Sequence, residues 1–440
     1  MVIARRLVGH YRRLKDRIAL LLFGFYLLAP FIKISGRPLF HFDIPNRKFT
    51  FFTLTIWPQE FYLLLVLLLI MGLMLFLATA IWGRVWCGYG CPQTLITDIF
   101  DFVGRLAAGD KYGKNSVTFF QKIRIWFAWV FLSVFLSGIF VSYFVTPEVM
   151  INSIYHGQIF AHRDGFEPSA FIKFWAGGTA AMLIIWGWFR ENVCRYVCPY
   201  GRFQTALLDD HSPIVSYDKK RGEPRRQKGE TKHVGDCTAC NLCNLVCPTG
   251  IDIREGLQVG CISCAQCIDA CTHEMKRTGK PTLISFKTIK QENEPGARRE
   301  YFYPRSVIYI ALLSIIVGAF ITLLIKRIPI YANVLRDKII YNMCMDNKIC
   351  QNGYEIHIGN LSYEAFEAKI EIQTSNLEKP EILGLDQKVI VKPGESESKR
   401  IIVKAIKPDH SRGSRIRFLV SNPAKPEQIK VIESFFSFPQ

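Results

Sequence analysis

Eight cysteines fall in two identical runs, Cys237, Cys240, Cys243 and Cys247, then Cys261, Cys264, Cys267 and Cys271, each spaced C-x-x-C-x-x-C-x-x-x-C. Thiolates at this spacing hold iron–sulfur cubanes. The first three of a run take three corners of one cluster, and the fourth reaches across to the other. The spacing therefore assigns Cys237, Cys240, Cys243 and Cys271 to one 4Fe-4S cluster, and Cys261, Cys264, Cys267 and Cys247 to a second. Pro248 follows the first run, whereas Thr272 follows the second, a change in the local turn rather than in the ligands. Structural zinc and a disulfide knot are the alternatives. Zinc sites, however, present two C-x-x-C pairs, not two four-cysteine runs.

Four further cysteines belong to an internal duplication. One copy reads Gly83-Arg-Val-Trp-Cys87-Gly-Tyr-Gly-Cys91-Pro92-Gln-Thr, the other Arg190-Glu-Asn-Val-Cys194-Arg-Tyr-Val-Cys198-Pro199-Tyr-Gly-Arg-Phe-Gln-Thr. Cysteines four apart share a helix face, and paired thiolates suit a soft ion such as Cu(I). A dithiol/disulfide couple is also chemically open, and so is simple packing of small apolar thiols. The sequence does not say whether the two pairs meet. Proline is favoured at the first position of a helix, so each copy predicts a turn at the cysteines and then an interfacial helix, Gln93 to Leu106 and Tyr200 to Asp209.

The elements that position these thiols are membrane helices. Half of the 440 residues are hydrophobic. Apolar stretches approaching the roughly 20 residues that a bilayer core requires run from Ile18 to Ile34, Phe61 to Trp82, Ile123 to Val145, Phe171 to Phe189 and Ser306 to Ile325. The first follows Arg5, Arg6, Arg12, Arg13, Lys15 and Arg17 with no small-residue cleavage site, and reads as a retained signal anchor. Arg84, Arg105, Lys111, Lys114 and Lys122 lie between the second and third stretches, but only Arg163 between Thr146 and Ala170. By the positive-inside rule the first and third helices run outward and the second and fourth return. The cysteine runs then face the reducing cytoplasm, where thiolates stay free for clusters.

The formal charge of +18 does not predict nucleic-acid binding. The basic residues gather at membrane edges and in Lys219 to Lys232, with Arg221, Arg225, Arg226 and Lys228, where anionic lipid headgroups are the expected partner. Beyond the last apolar stretch, Glu355-Ile-His-Ile, Ala368-Lys-Ile-Glu-Ile-Gln, Lys388-Val-Ile-Val, Arg400-Ile-Ile-Val and Arg415-Ile-Arg-Phe-Leu-Val carry β-strand patterning between turn residues, predicting an immunoglobulin-like sandwich. Its Cys344 and Cys350, flanked by Met343 and Met345, are expected to form a disulfide in an oxidising compartment, with copper binding as the alternative. His41, Met150, His156 and His162 in the outer loops are candidates for a metal entry point, with solvated side chains as the alternative.

The resulting architecture is a multi-domain membrane protein. Residues 1–205 hold four membrane helices and both C-x-x-x-C-P segments, and 206–300 form a cytoplasmic two-cluster domain of the bacterial ferredoxin type. A fifth helix occupies 301–328, and 329–440 form a periplasmic all-β immunoglobulin-like domain.

The chain resembles the cytochrome c oxidase accessory proteins, the FixG or CcoG family. The resemblance rests on Phe42-Asp-Ile-Pro-Asn-Arg, on Thr79-Ala-Ile-Trp followed by the first C-x-x-x-C-P copy, on Cys194 to Gln204, on Gly222-Glu-Pro-Arg and on the two cysteine runs. It implies a bacterial inner-membrane protein that reduces Cu(II) to Cu(I) during assembly of cbb-type oxidases, with two 4Fe-4S clusters as cofactors. The partners implied are copper chaperones and other assembly factors, and a cytoplasmic electron donor that the sequence does not identify. Copper would meet the electrons near Cys87, Cys91, Cys194 and Cys198. Cys344 and Cys350 lie outside the family pattern. The competing readings are a quinol-linked electron-transfer subunit, for which no haem pair or flavin motif is present, and a non-catalytic assembly scaffold. A homodimer is a candidate assembly.

Overall fold

The 22 residues from Phe61 to Trp82 carry no charged side chain, so once in a bilayer this segment has only its own backbone to hydrogen-bond and must be helical. The computed structural model describes residues 4–438 other than 35–36, 45–46, 53, 114–116, 156–167, 226–234, 295, 338–342, 346–348, 363, 375–377, 385–388 and 407–412. Two compact units result, Met1–Phe320 and Ile321–Gln440.

In the first unit, helices α1 (His10–Leu28), α2 (Phe61–Trp82), α3 (Val85–Tyr89), α4 (Pro92–Ala108), α5 (Phe119–Val141), α6 (Pro147–Tyr155) and α7 (Pro168–Met182) come in order. Helix α7 continues as a π-helix over Leu183–Phe189. After a π-turn at Val193–Val197 come α8 (Pro199–Leu207), the short α9 (Lys219–Gly222) and α10 (Leu242–Leu245), then α11 (Gln266–Arg277), α12 (Ile289–Asn293) and α13 (Pro304–Ile325). Among the described residues four helices are long and apolar enough to cross a membrane: α2, α5, Ile172–Phe189 and α13. Their large apolar side chains, such as Leu65, Leu68, Phe127, Phe131 and Ile315, point outward, as lipid-facing residues do.

The first expected span differs. Helix α1 starts at His10 and ends at Leu28, and Lys33–Ile34 pairs instead with Arg37–Pro38 as a short hairpin. Only Ile18 to Leu28 is both helical and apolar, about half of a bilayer's requirement. The basic half of α1 is drawn elsewhere. Lys15 is fully buried and lies 2.8 Å from Asp98 of α4, which Arg12 also meets. The N–H groups of Tyr11 and Arg12 donate to Asp269 of α11 at 3.2 and 2.8 Å, so a carboxylate from another helix caps the positive end of α1. Gly9 is required there because a Cβ would lie 2.1 Å from the Asp269 carboxyl carbon.

The cysteine-rich segment is closed by an antiparallel pair, Pro213–Tyr217 with Ile284–Thr288, in register at Val215 and Phe286. Val215, Tyr217, Ile253, Ile268, Met275, Leu283 and Ile284 form its core.

The second unit is a sandwich. One sheet orders Glu378–Leu383, Ser396–Ile406, Ile349–Asn360 and Ile330–Arg336, with Met343–Met345 also paired to Ile349–Asn360. The other orders Val389–Val391, Phe366–Thr374, Gly413–Asn422 and Lys425–Ser437. Alternate residues face inward, Ile401, Val403 and Ala405 against Ile416, Phe418 and Val420, as two packed sheets require. Cys344 and Cys350 sit opposite one another in register and are joined as a disulfide.

Candidate metal centres

Each four-cysteine run folds into the same loop. Ala239 and Asn241 in the first, and Ser263 and Ala265 in the second, all have φ between 50° and 58°. These are the second and fourth positions after the leading cysteine of each run. Left-handed residues without a glycine are costly, and they concentrate where a ligand over-determines the backbone. Alternation of right- and left-handed residues turns successive N–H groups into one concavity, the nest that receives sulfur-bridged iron. Two voids lie inside these loops. Cys237, Cys240, Cys243 and Cys271 line one, with Met275 and Leu283. Cys247, Cys261, Cys264 and Cys267 line the other, with Cys243 at its border. The fourth thiol of each run therefore stands with the first three of the other.

Both thiol sets fit a cubane. Burial raises every shifted thiol, Cys243 to about 11 and Cys264 to about 12, and pushes up Cys261 and Cys267 as well. Neighbouring thiols add to the effect at Cys267, as expected of a shared site. Hydrogen bonds that favour sulfur charge are present: the Leu283 N–H donates to Cys271 Sγ at 3.4 Å, and the Gln266 N–H to Cys264. Among the described residues no three His, Cys, Asp or Glu groups converge tightly enough for a single ion, and each thiol set surrounds a void of larger size.

The duplicated segments come together. With Cys87 laid on Cys194, Gly83 falls on Arg190, and both cap their membrane helices in one conformation, φ 63° and ψ −136° against φ 54° and ψ −129°. Gly83 has no alternative, since a Cβ there would lie 2.1 Å from the Pro213 carbonyl oxygen. Cys91 and Cys198 are then the N-caps of α4 and α8, each followed by proline at the first helical position. Cys91, Cys194 and Cys198 are all near enough for charge on them to raise the Cys87 thiol, so the two segments lie side by side. Burial pushes Cys87 and Cys194 up to about 12. Cys91 is raised too, again by burial, although the Gln93 and Thr94 N–H groups at the start of α4 oppose this.

Contacts between the copies are reciprocal. Cys87 of the first donates its S–H to Gln204 Oε1 of the second at 3.0 Å, while Cys194 of the second meets Thr94 of the first. Gln204 is fully buried and donates to Thr79 Oγ1 at 3.4 Å. Gln93 Nε2 crosses to the Arg190 carbonyl at 2.9 Å. Gln204, Thr94 and Arg84 are site residues that sequence reasoning missed. The one signal for Gln204 and Thr94 was the Gln-Thr pair closing both copies.

His41 is on the strand Phe40–Asp43, and burial lowers its pKa. Met150 is on α6, beside Gly138 and Trp175. His156 and His162 are outside the described residues. The disulfide removes Cys344 and Cys350 as thiolate ligands.

Residues 189–289 match a family described as a 4Fe-4S dicluster domain, 63–107 a 4Fe-4S binding domain, and 320–439 the IG-like fold at the C-terminal of FixG. Protein RdxA of Cereibacter sphaeroides is 34% identical over 87% of this chain and 84% of its own. Protein RdxB of the same organism is 36% identical over 84% and 81%. Nitrogen fixation protein FixG of Rhizobium meliloti is 31% identical over 84% and 79%. A crystal structure of a FixG-related protein from Vibrio parahaemolyticus aligns with 26% of this chain and 98% of that one, at 20% identity and a TM-score of 0.22.

Proposed function

The chain belongs to the family of FixG, RdxA and RdxB, membrane iron–sulfur electron-transfer proteins, and from that premise we propose that it is a cupric reductase. Cu(II) is the substrate, and one electron converts it to Cu(I) at Cys87, Cys91, Cys194 and Cys198. The observation that carries this reading is the approach of the two C-x-x-x-C-P segments, which brings Cys194 and Cys198, both half-buried, near Cys87 and Cys91. Soft thiolates hold the cuprous ion in preference to the cupric, so a site of this composition favours the reduced product.

In this reading Cys237, Cys240, Cys243 and Cys271 hold one 4Fe-4S cluster, and Cys261, Cys264, Cys267 and Cys247 hold the second. Such clusters, when bound, supply single electrons at potentials set by hydrogen bonds to sulfur and by exposure. The chain's own residues do the rest. Cys87 and Cys194 are neutral while empty and must each lose a proton to bind copper. Gln204 fixes the Cys87 thiol through its Oε1 and is itself held by its bond to Thr79.

The chain's positively charged flanks support a cytoplasmic cysteine-rich domain over residues 206–300 and a periplasmic sandwich, with the chain spanning the bacterial inner membrane. This arrangement requires one more crossing, for which α1 offers its 19 residues from His10 to Leu28, apolar only from Ile18 onward. A one-electron donor of the cytoplasm would feed the clusters. Copper chaperones and assembly factors of cbb-type oxidases would take the Cu(I), and anionic lipid would meet the basic edges.

The test is replacement of Cys87 with Cys91, or Cys194 with Cys198, by Ser. Both clusters should keep their spectra while Cu(II) reduction slows and cuprous affinity falls. Double variants that reduce and bind copper like the parent would make these thiols packing residues. A second reading has one specific observation behind it: the first pair lies inside the 63–107 match to a 4Fe-4S binding domain. Iron analysis separates the two, with about eight iron atoms per chain for two cubanes and about twelve if the membrane-edge thiols hold a third.

A further inference from the structure

Building on the electron-transfer reading above, we propose that the two cluster sites act in series. The first void is the entry and the second the exit, and Arg84, Gly88 and Tyr89 couple that exit to the membrane-edge thiols. The two voids differ in exposure. Of the eight thiols around them only Cys240, in the first, is exposed, while Cys261 and Cys264 of the second are each 8% exposed. A soluble reductant therefore meets the first void, with its exposed Cys240, more readily than the second.

The loop that lines the second void packs against α3, the short helix that carries Cys87. Gly88, the next residue, packs backbone on backbone against the second loop. A Cβ there would lie 2.8 Å from the Ile262 carbonyl oxygen, 2.9 Å from Cys264 Cα and 3.0 Å from Cys264 N. Tyr89 Oη donates to the Cys264 carbonyl at 3.3 Å. Arg84, 3% exposed, donates through Nη1 to the carbonyls of Val259 at 2.6 Å and Cys261 at 2.9 Å, and through Nη2 to that of Gly201 at 3.1 Å. Gly201 lies in the first turn of α8, whose N-cap is Cys198. One guanidinium thus ties the second cluster loop to both copies of the duplicated motif. The chain from Cys264 to Cys87 runs through direct contact with no mobile element between.

The chemistry balances with one electron per copper. A one-electron reductant is oxidised at the first site, the electron passes to the second, and Cu(II) at the thiols becomes Cu(I). No covalent bond of the substrate is made or broken apart from its coordination. Arg84 is a positioning residue that also acts on potential, because a buried cation beside the Cys261 loop stabilises the extra negative charge of a reduced cluster.

The experiment is an anaerobic EPR redox titration of the full chain in detergent, followed by rapid mixing of the reduced protein with Cu(II). Cys240→Ser identifies which signal belongs to the first site. Arg84→Gln should disfavour reduction of the other signal about tenfold, which for a one-electron couple is about 59 mV, while Arg84→Lys should hold its midpoint near the parent's. Gly88→Ala should leave both midpoints in place and slow reoxidation by Cu(II) at least about tenfold, as loss of contact requires. A shift confined to the signal that Cys240→Ser alters, or parental reoxidation in Gly88→Ala, overturns the series arrangement. The titration contains no copper, so it decides the role of Arg84 at the second site even if the parent proves unable to reduce Cu(II), a result that would instead remove the cupric reductase reading.

Discussion

Cuprous affinity at the four-thiol site should climb steeply with pH and keep climbing beyond the range where ordinary thiols level off. The perturbation is pH alone. Burial holds Cys87 and Cys194 at about 12, whereas an unperturbed thiol titrates near 8.5. Copper binds thiolate, so each of these groups must release a proton on binding. While the empty site stays protonated, every pH unit makes each release easier by about 1.4 kcal/mol, a factor of ten. Two such thiols give about a hundredfold gain in affinity per unit, and the slope persists between about pH 8.5 and about pH 9.5. Two ordinary thiols, already half ionised at the start of that interval, would give only about threefold. Competition against a chromogenic cuprous chelator, repeated at each pH, measures the difference. A curve that flattens above about pH 8.5 would refute the reasoning, because it would mean that the copper-binding thiols are solvated or are not these two.

Three further outcomes follow from particular contacts. Cys271→Ser should damage the cluster site built on Cys237, Cys240 and Cys243, whose void it lines, and EPR showing loss of the other site alone would contradict the crossing. In spheroplasts, an impermeant thiol reagent should label Ser396→Cys but not Glu292→Cys, with the reverse pattern overturning the orientation drawn from charge. Phe418→Ala should cost the sandwich about 3–5 kcal/mol by leaving a cavity against Tyr354, whose ring lies 5.1 Å away. A loss under about 1 kcal/mol in chemical denaturation would show that this core is not close-packed.

Much of this arrangement was legible because ligand chemistry and bilayer thickness both write fixed lengths into a sequence. The spacing of the cysteine runs prescribes which thiols share a void, and the charge-free run from Phe61 to Trp82 leaves no choice but a helix. The prolines after Cys91 and Cys198 mark where α4 and α8 begin. What stayed hidden depends on partners far along the chain. Hydropathy extended the first span to Ile34, yet the basic end of α1 is buried by Asp98 and Asp269, which no local pattern could reveal. Gln204 looks like a surface residue of an amphipathic helix until the second copy folds onto the first and presents it to Cys87. Arg84 reads as a topology signal at a helix end, whereas its guanidinium is consumed by three carbonyls of the cluster loop and α8.

The claim at the centre of this account is that electrons held by the iron–sulfur sites reach copper. The direct measurement is to reduce the purified protein under anaerobic conditions, remove the excess reductant, add Cu(II) in steps, and follow the cluster EPR signals together with Cu(I) captured by a chromogenic chelator. One Cu(I) should appear for each electron that leaves the clusters, and both should stop when the cluster signals are exhausted. Clusters that remain reduced in the presence of Cu(II), or that reoxidise without forming Cu(I), would contradict the account.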